Sequence, residues 1–100
     1  MISSERIKEL RMLLCSLPEN KSLICYDPLK SHIVTFGVYI THPAIVDKGD
    51  WHIYEQTYEQ LQYYLDDGFK IAETCYSNML PGSASGYWVT IVKQENERCA

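Results

Sequence analysis

Residues 32–41, HIVTFGVYIT, constrain the fold of this chain more than any other stretch. Side chains of a strand alternate between its two faces, so Val34, Phe36, Val38 and Ile40 point one way and Ile33, Thr35, Gly37, Tyr39 and Thr41 the other. Both sets are partly apolar, which predicts a strand in the middle of a sheet. Gly37 in its interior predicts a bulge, or a place where another group approaches the backbone.

The pattern changes period on either side. Between Ser3 and Ser16, the residues Ile7, Leu10, Leu14 and Leu17 recur at three- and four-residue spacing. That predicts a helix with one buried face, capped by Ser3 or Ser4 and stopped by Pro18. SLICY, residues 22–26, reads as a short strand closed by the Asp27-Pro28 turn. Thr57 to Gln60 has capping-box spacing, and Tyr54, Tyr58, Leu61 and Leu65 share one helical stripe, which predicts a second helix. Gly68 suits its left-handed end, with Phe69 folding back onto the last turn. FKIAETCYS and GYWVTIVKQ predict two hairpin strands around the loop NMLPGSAS, residues 78–85.

The resulting expectation is a single compact α+β domain over residues 1–100, in the order α-β-β-α-β-β. Its sheet is four-stranded and mostly antiparallel, with two helices packed against it and a polar tail over residues 94–100. A hydrophobic content of 46% with 22% charged residues is ordinary for a folded domain of this length.

Charge narrows the partners. The net charge of −4, with no Lys/Arg cluster to follow a phosphate backbone, argues against nucleic acid. The acidic residues are too scattered for a DNA mimic. No apolar run approaches the roughly 20 residues that span a bilayer. MISSERIKELRMLLC is a charged amphipathic pattern without a signal-peptide core, so no membrane association and a cytoplasmic location are expected. Cys15, Cys25 and Cys75 lie far apart among apolar neighbours and read as reduced core thiols, with Cys99 in the tail.

Residues 41–52, THPAIVDKGDWH, hold the densest set of candidate ligands: His42, Asp47, Asp50 and His52. Imidazole and carboxylate can hold zinc or iron, and a metal-dependent enzyme on His42, Asp47 and His52 is one alternative. The spacing matches no recurrent metal motif, and Pro43, Gly49 and the aspartates are equally the makings of a connecting loop anchored by Trp51. Cys25 lies in an apolar run, where burial disfavours a nucleophilic thiolate. MLPGSASG is followed by a strand where a phosphate loop would need a helix, and its register is neither that of the Walker motif nor that of the GxSxG elbow. Asp66 and Asp67 diverge by about 100° around a helix and read as a solvated helix end.

Aromatic content points elsewhere: eight tyrosines and two tryptophans against two phenylalanines. Such rings pack while keeping a polar edge wet, which suits a contact surface. Tyr39, Tyr76 and Trp88 are expected on the sheet face away from the helices, with Trp51 in the loop and Met79 at the hairpin tip as secondary contacts. The expected function is a non-enzymatic protein-binding domain without cofactor, an inhibitor, adaptor or chaperone of the kind phages and mobile elements carry. Its partner is another protein or a second copy of the chain. A small-molecule-binding domain with an aromatic pocket is the other alternative.

Overall fold

A computed structural model describes residues 2–41, 48–80 and 84–94, with residues 48–53 described by backbone alone. Its elements are α1 (Ser4–Ser16), a 3₁₀ turn (Pro28–Lys30), β1 (Ser31–Tyr39), α2 (Lys48–Asp66), β2 (Lys70–Leu80) and β3 (Ala84–Gln94). The strands form one antiparallel sheet in the order β1-β3-β2.

Local chemistry sets the helix ends. Ser3 caps α1 by accepting the Arg6 N–H at 3.1 Å, and the helix stops two residues before Pro18. At the end of α2, Gly68 adopts φ 95°, a conformation that costs a residue with a Cβ. The Phe69 N–H then reaches the Tyr64 carbonyl at 3.0 Å and the Gly68 N–H the Leu65 carbonyl at 3.2 Å. This pair of bonds is the Schellman arrangement, and its apolar contact is the Tyr64–Phe69 ring pair at 5.0 Å.

The start of α2 departs from the expected one. Helix begins at Lys48, so part of the stretch read as a connecting loop is helical and Thr57 lies mid-helix. The Thr57 hydroxyl does not cap; it donates to the Tyr54 carbonyl within the helix and accepts the Tyr39 N–H at 3.4 Å. A Ser/Thr back-bond of this kind satisfies the hydroxyl without ending the helix.

Among the described residues, three strands stand where four were expected. SLICY forms no strand; the chain leading into it lies against the outer edge of β2 through two backbone bonds, Asn20 just before SLICY to the Thr74 carbonyl and Leu23 within it to the Ala72 carbonyl, each 2.8 Å. Asn20 turns the chain through φ 55°, and the Ser22 hydroxyl bonds the Ile24 carbonyl locally, which competes with a ladder. The element order is therefore α-β-α-β-β. The hairpin is also longer than expected: β2 continues through Met79 to Leu80, placing Met79 on a strand past a register shift after Ser77.

The predicted central strand is an edge. β3 occupies the middle, and among the described residues β1 has only β3 beside it. Its apolar character is explained by the helices, since Phe36 and Val38 join Leu10, Leu14, Tyr58, Leu61, Val89 and Ile91 in one buried cluster. Burying each such side chain contributes about 1.5–3 kcal/mol. Phe36 meets the Tyr64 ring at 5.8 Å, which ties β1 to α2.

Cys15, Cys25 and Cys75 are exposed, not core. Cys15 is one residue past buried Leu14 on α1, Cys75 alternates with buried Thr74 on β2, and Cys25 lies outside the regular elements. Cys99 lies outside the described residues.

Candidate functional site

The strand register sorts the sheet into two faces. Val34, Phe36 and Val38 stand opposite Ile91, Val89 and Tyr87, and across β3 from these lie Thr74 and Tyr76. Core packing identifies this as the face under the helices. The other face carries Ile33, Thr35 and Gly37 of β1, Trp88 and Thr90 of β3, and Glu73 and Cys75 of β2.

Trp88 is the centre of that second face. It stands on the middle strand between Gly37 and Cys75 and is 42% exposed. Its ring leans over β1, where a Cβ added to Gly37 would lie 3.3 Å from the indole and 3.5 Å from the Leu80 side chain. Gly37 is therefore the close-approach glycine that the sequence suggested. Ile33 is 43% exposed on the same face, and Thr35 and Thr90 join hydroxyls across the strands at 3.1 Å. An indole and an isoleucine held half in water on a rigid sheet make an apolar patch with polar borders.

The residues expected to share this face divide into separate places. Tyr39 belongs to the same side by register but is buried, its backbone against Gly86 and its two main-chain groups bonded to α2. Leu80 of β2 lies over Gly37 and Gly86, the neighbours of Tyr39 in the sheet, and is itself buried. Tyr76 is exposed but lies on the opposite face. Its ring meets Tyr87 edge-on at 5.7 Å, and its N–H donates to the Glu19 carboxylate at 3.0 Å. Burial, with Cys15, Glu19 and Tyr76 close by, holds the Tyr87 phenol above its ordinary value. Met79 is strongly exposed near the end of β2. The side chains of Trp51 and His52, and all of His42 and Asp47, lie outside the described residues.

The chain matches no model of a known protein family, no curated protein and no solved structure. Its site is therefore read from its own residues.

Ile33 and Cys75 are members of the face that sequence reasoning did not single out as contacts, and Gly37 was singled out there only as a bulge or close-approach position. Their alternation with Phe36, Val38 and Thr74 carried the signal, but taking β1 as a central strand placed Ile33 and Gly37 under cover. Shallow clefts among the described residues include two away from this face. One, of about 400 Å³, runs between Ile2 and the Glu59, Gln62, Tyr63 and Asp66 side of α2; the other, of about 340 Å³, runs along Lys8, Arg11, Met12 and Cys15 of α1. Neither is lined by Trp88, Tyr39 or Tyr76. Among the described residues, no three His, Cys, Asp or Glu side chains gather as a metal site, and no helix is long and apolar enough to cross a membrane.

Proposed function

We propose that this chain is a non-enzymatic protein-binding domain that works in the cytoplasm and holds its partner on the Trp88 face of the sheet. The observation that carries the reading is Trp88 itself: a half-exposed indole on the central strand, fixed between Gly37 and Cys75. Exposed tryptophan at the centre of a rigid patch is the residue type that dominates binding energy when a partner covers it. Ile33 extends the apolar area, while Thr35, Thr90 and Glu73 supply a polar border. Cys15, Cys25 and Cys75, exposed and free, suit a reducing compartment.

The test uses the intact chain and its Trp88→Ala and Trp88→Phe variants as bait, after circular dichroism has shown all of them folded. A partner retained by the wild type, lost by Trp88→Ala and partly restored by Trp88→Phe supports the reading. A partner held equally by wild type and Trp88→Ala sinks it. The expected loss with Ala is about 2 kcal/mol or more.

A further inference from the structure

The two edges of the sheet are finished differently. Along β2, the outward groups of Ala72 and Thr74 are bonded by Leu23 and Asn20, the Tyr76 N–H is bonded by Glu19, and register shifts interrupt the strand twice. Covering and bulging are the usual means of closing an edge to other strands. β1 has neither. Its register against β3 runs without a shift from Ser31 to Tyr39, and the segment contains no proline and no Lys, Arg, Asp or Glu.

The outward groups of β1 can be assigned. Tyr39 donates its N–H to Thr57 Oγ1 and accepts the Tyr58 hydroxyl at its carbonyl, so both of its main-chain groups face away from β3. In an antiparallel ladder this alternates along the strand, so Ile33, Thr35 and Gly37 also turn their N–H and C=O groups outward. Among the described residues, nothing bonds these outward groups. The open window is therefore 33–37, closed at one end by α2 and centred on Thr35.

We propose that this window pairs antiparallel with the same window of a second copy, about a two-fold axis at Thr35. The proposal rests on the reading of the Trp88 face as a contact surface and names its partner. In this register Thr35 faces Thr35 of the other copy, and Ile33 faces Gly37 in both directions. Each of the three pairs exchanges two main-chain hydrogen bonds, joining two sheets into one. The side chains fit the register: Gly37 has no side chain to obstruct the approach, the Trp88 indole and Leu80 lie over it, and the exposed Ile33 of the other copy comes to rest beside the half-exposed indole. Charge favours the same choice. A two-fold contact sets like against like, and in a chain of net charge −4 a strand without formal charge meets its own copy without repulsion.

The test is the oligomeric state of the full chain by sedimentation over a concentration series, with Thr35→Lys as the breaking variant. In a background with Cys15, Cys25, Cys75 and Cys99 replaced by serine, Thr35→Cys serves as a second probe and Glu73→Cys as its control. Expected are a dimer for the wild type, a dissociation constant raised by about tenfold or more for Thr35→Lys, and an oxidised, disulfide-linked dimer from Thr35→Cys but not from Glu73→Cys. Directly opposed residues of this ladder lie about 5.5 Å apart at Cα, within disulfide reach. A wild type that stays monomeric overturns self-pairing and leaves the Trp88 face free for a different partner. A dimer that survives Thr35→Lys and is not linked through Thr35→Cys overturns the edge register. Failure of the Trp88 reading shows separately, as binding indifferent to Trp88→Ala.

Discussion

The Tyr58 hydroxyl of α2 donates to the main-chain carbonyl of Tyr39 at the end of β1, and both residues are buried. One side chain thus does for Tyr39 what a neighbouring strand would do, and the helix ends the sheet edge there. Tyr58→Phe keeps the ring and removes the donor, leaving a buried carbonyl without its partner. The expected cost is about 1–3 kcal/mol, read from urea unfolding of the two proteins. A cost near zero would mean that water replaces the phenol.

The same phenol makes stability depend on pH. Burial first, and then the neighbouring Tyr54, push the Tyr58 phenol above its ordinary value. The unfolded chain releases this proton near pH 10 while the folded chain keeps it, so its contribution is intact below about pH 10 and is lost as pH rises beyond. The loss is about 1.4 kcal/mol per pH unit for one such group. Unfolding free energies measured between about pH 8 and 11 are expected to fall on the alkaline side, and Tyr58→Phe is expected to flatten the fall. Tyr87, shifted in the same direction, leaves part of the slope in place.

Two glycines on neighbouring strands separate backbone crowding from side-chain crowding. A Cβ on Gly86 would strike the Val38 carbonyl oxygen and approach Tyr39 Cα to 2.9 Å, and main-chain atoms cannot step aside cheaply. Gly86→Ala is expected to cost about 3 kcal/mol or to prevent folding. Gly37→Ala meets the Trp88 ring at 3.3 Å, and a half-exposed indole can swing by a few tenths of an ångström. That variant should lose less than about 1.5 kcal/mol and shift tryptophan fluorescence. Equal losses at the two positions would contradict the registration of β1 on β3.

Thr74 is fully buried, and its hydroxyl has no hydrogen-bond partner among the described residues. It stands across from Val89, in apolar surroundings. Thr74→Val removes an unpaired polar group at nearly constant volume and is expected to stabilise by about 1 kcal/mol. A destabilised variant in thermal or urea unfolding would reveal a partner for the hydroxyl.

Trp88→Ala is expected to cost well under the 3–5 kcal/mol typical of a core tryptophan, because the ring is already half in water. Chemical denaturation decides the point. A loss in the core range would make Trp88 a structural residue and remove the reason for placing a partner on it.

Much of the local structure was legible because its causes lie within a few residues. Ser3 and Pro18 bound α1, Gly68 with Phe69 ends α2, and the alternation from Ile33 to Tyr39 marks a strand. Thr57 misled because a hydroxyl that bonds Tyr54 and Tyr39 carries the same letter as one that caps a helix. SLICY misled because its apolar content reads alike whether it pairs fully or bonds the β2 backbone through Leu23 alone.

The candidate site was legible only in part. Trp88 stands exposed, whereas Tyr39 is covered and Tyr76 belongs to the other face. Sequence by itself determined the elements that depend on capping, breaking and alternation, since those forces act between near neighbours. Tertiary structure alone decided that β3 and not β1 is central, that α2 closes the β1 edge at Tyr39, and that Leu80 covers one end of the face while Trp88 stays open. These depend on which distant segments meet, and a two-residue period says only that a strand has two faces, not which of them the rest of the chain will cover.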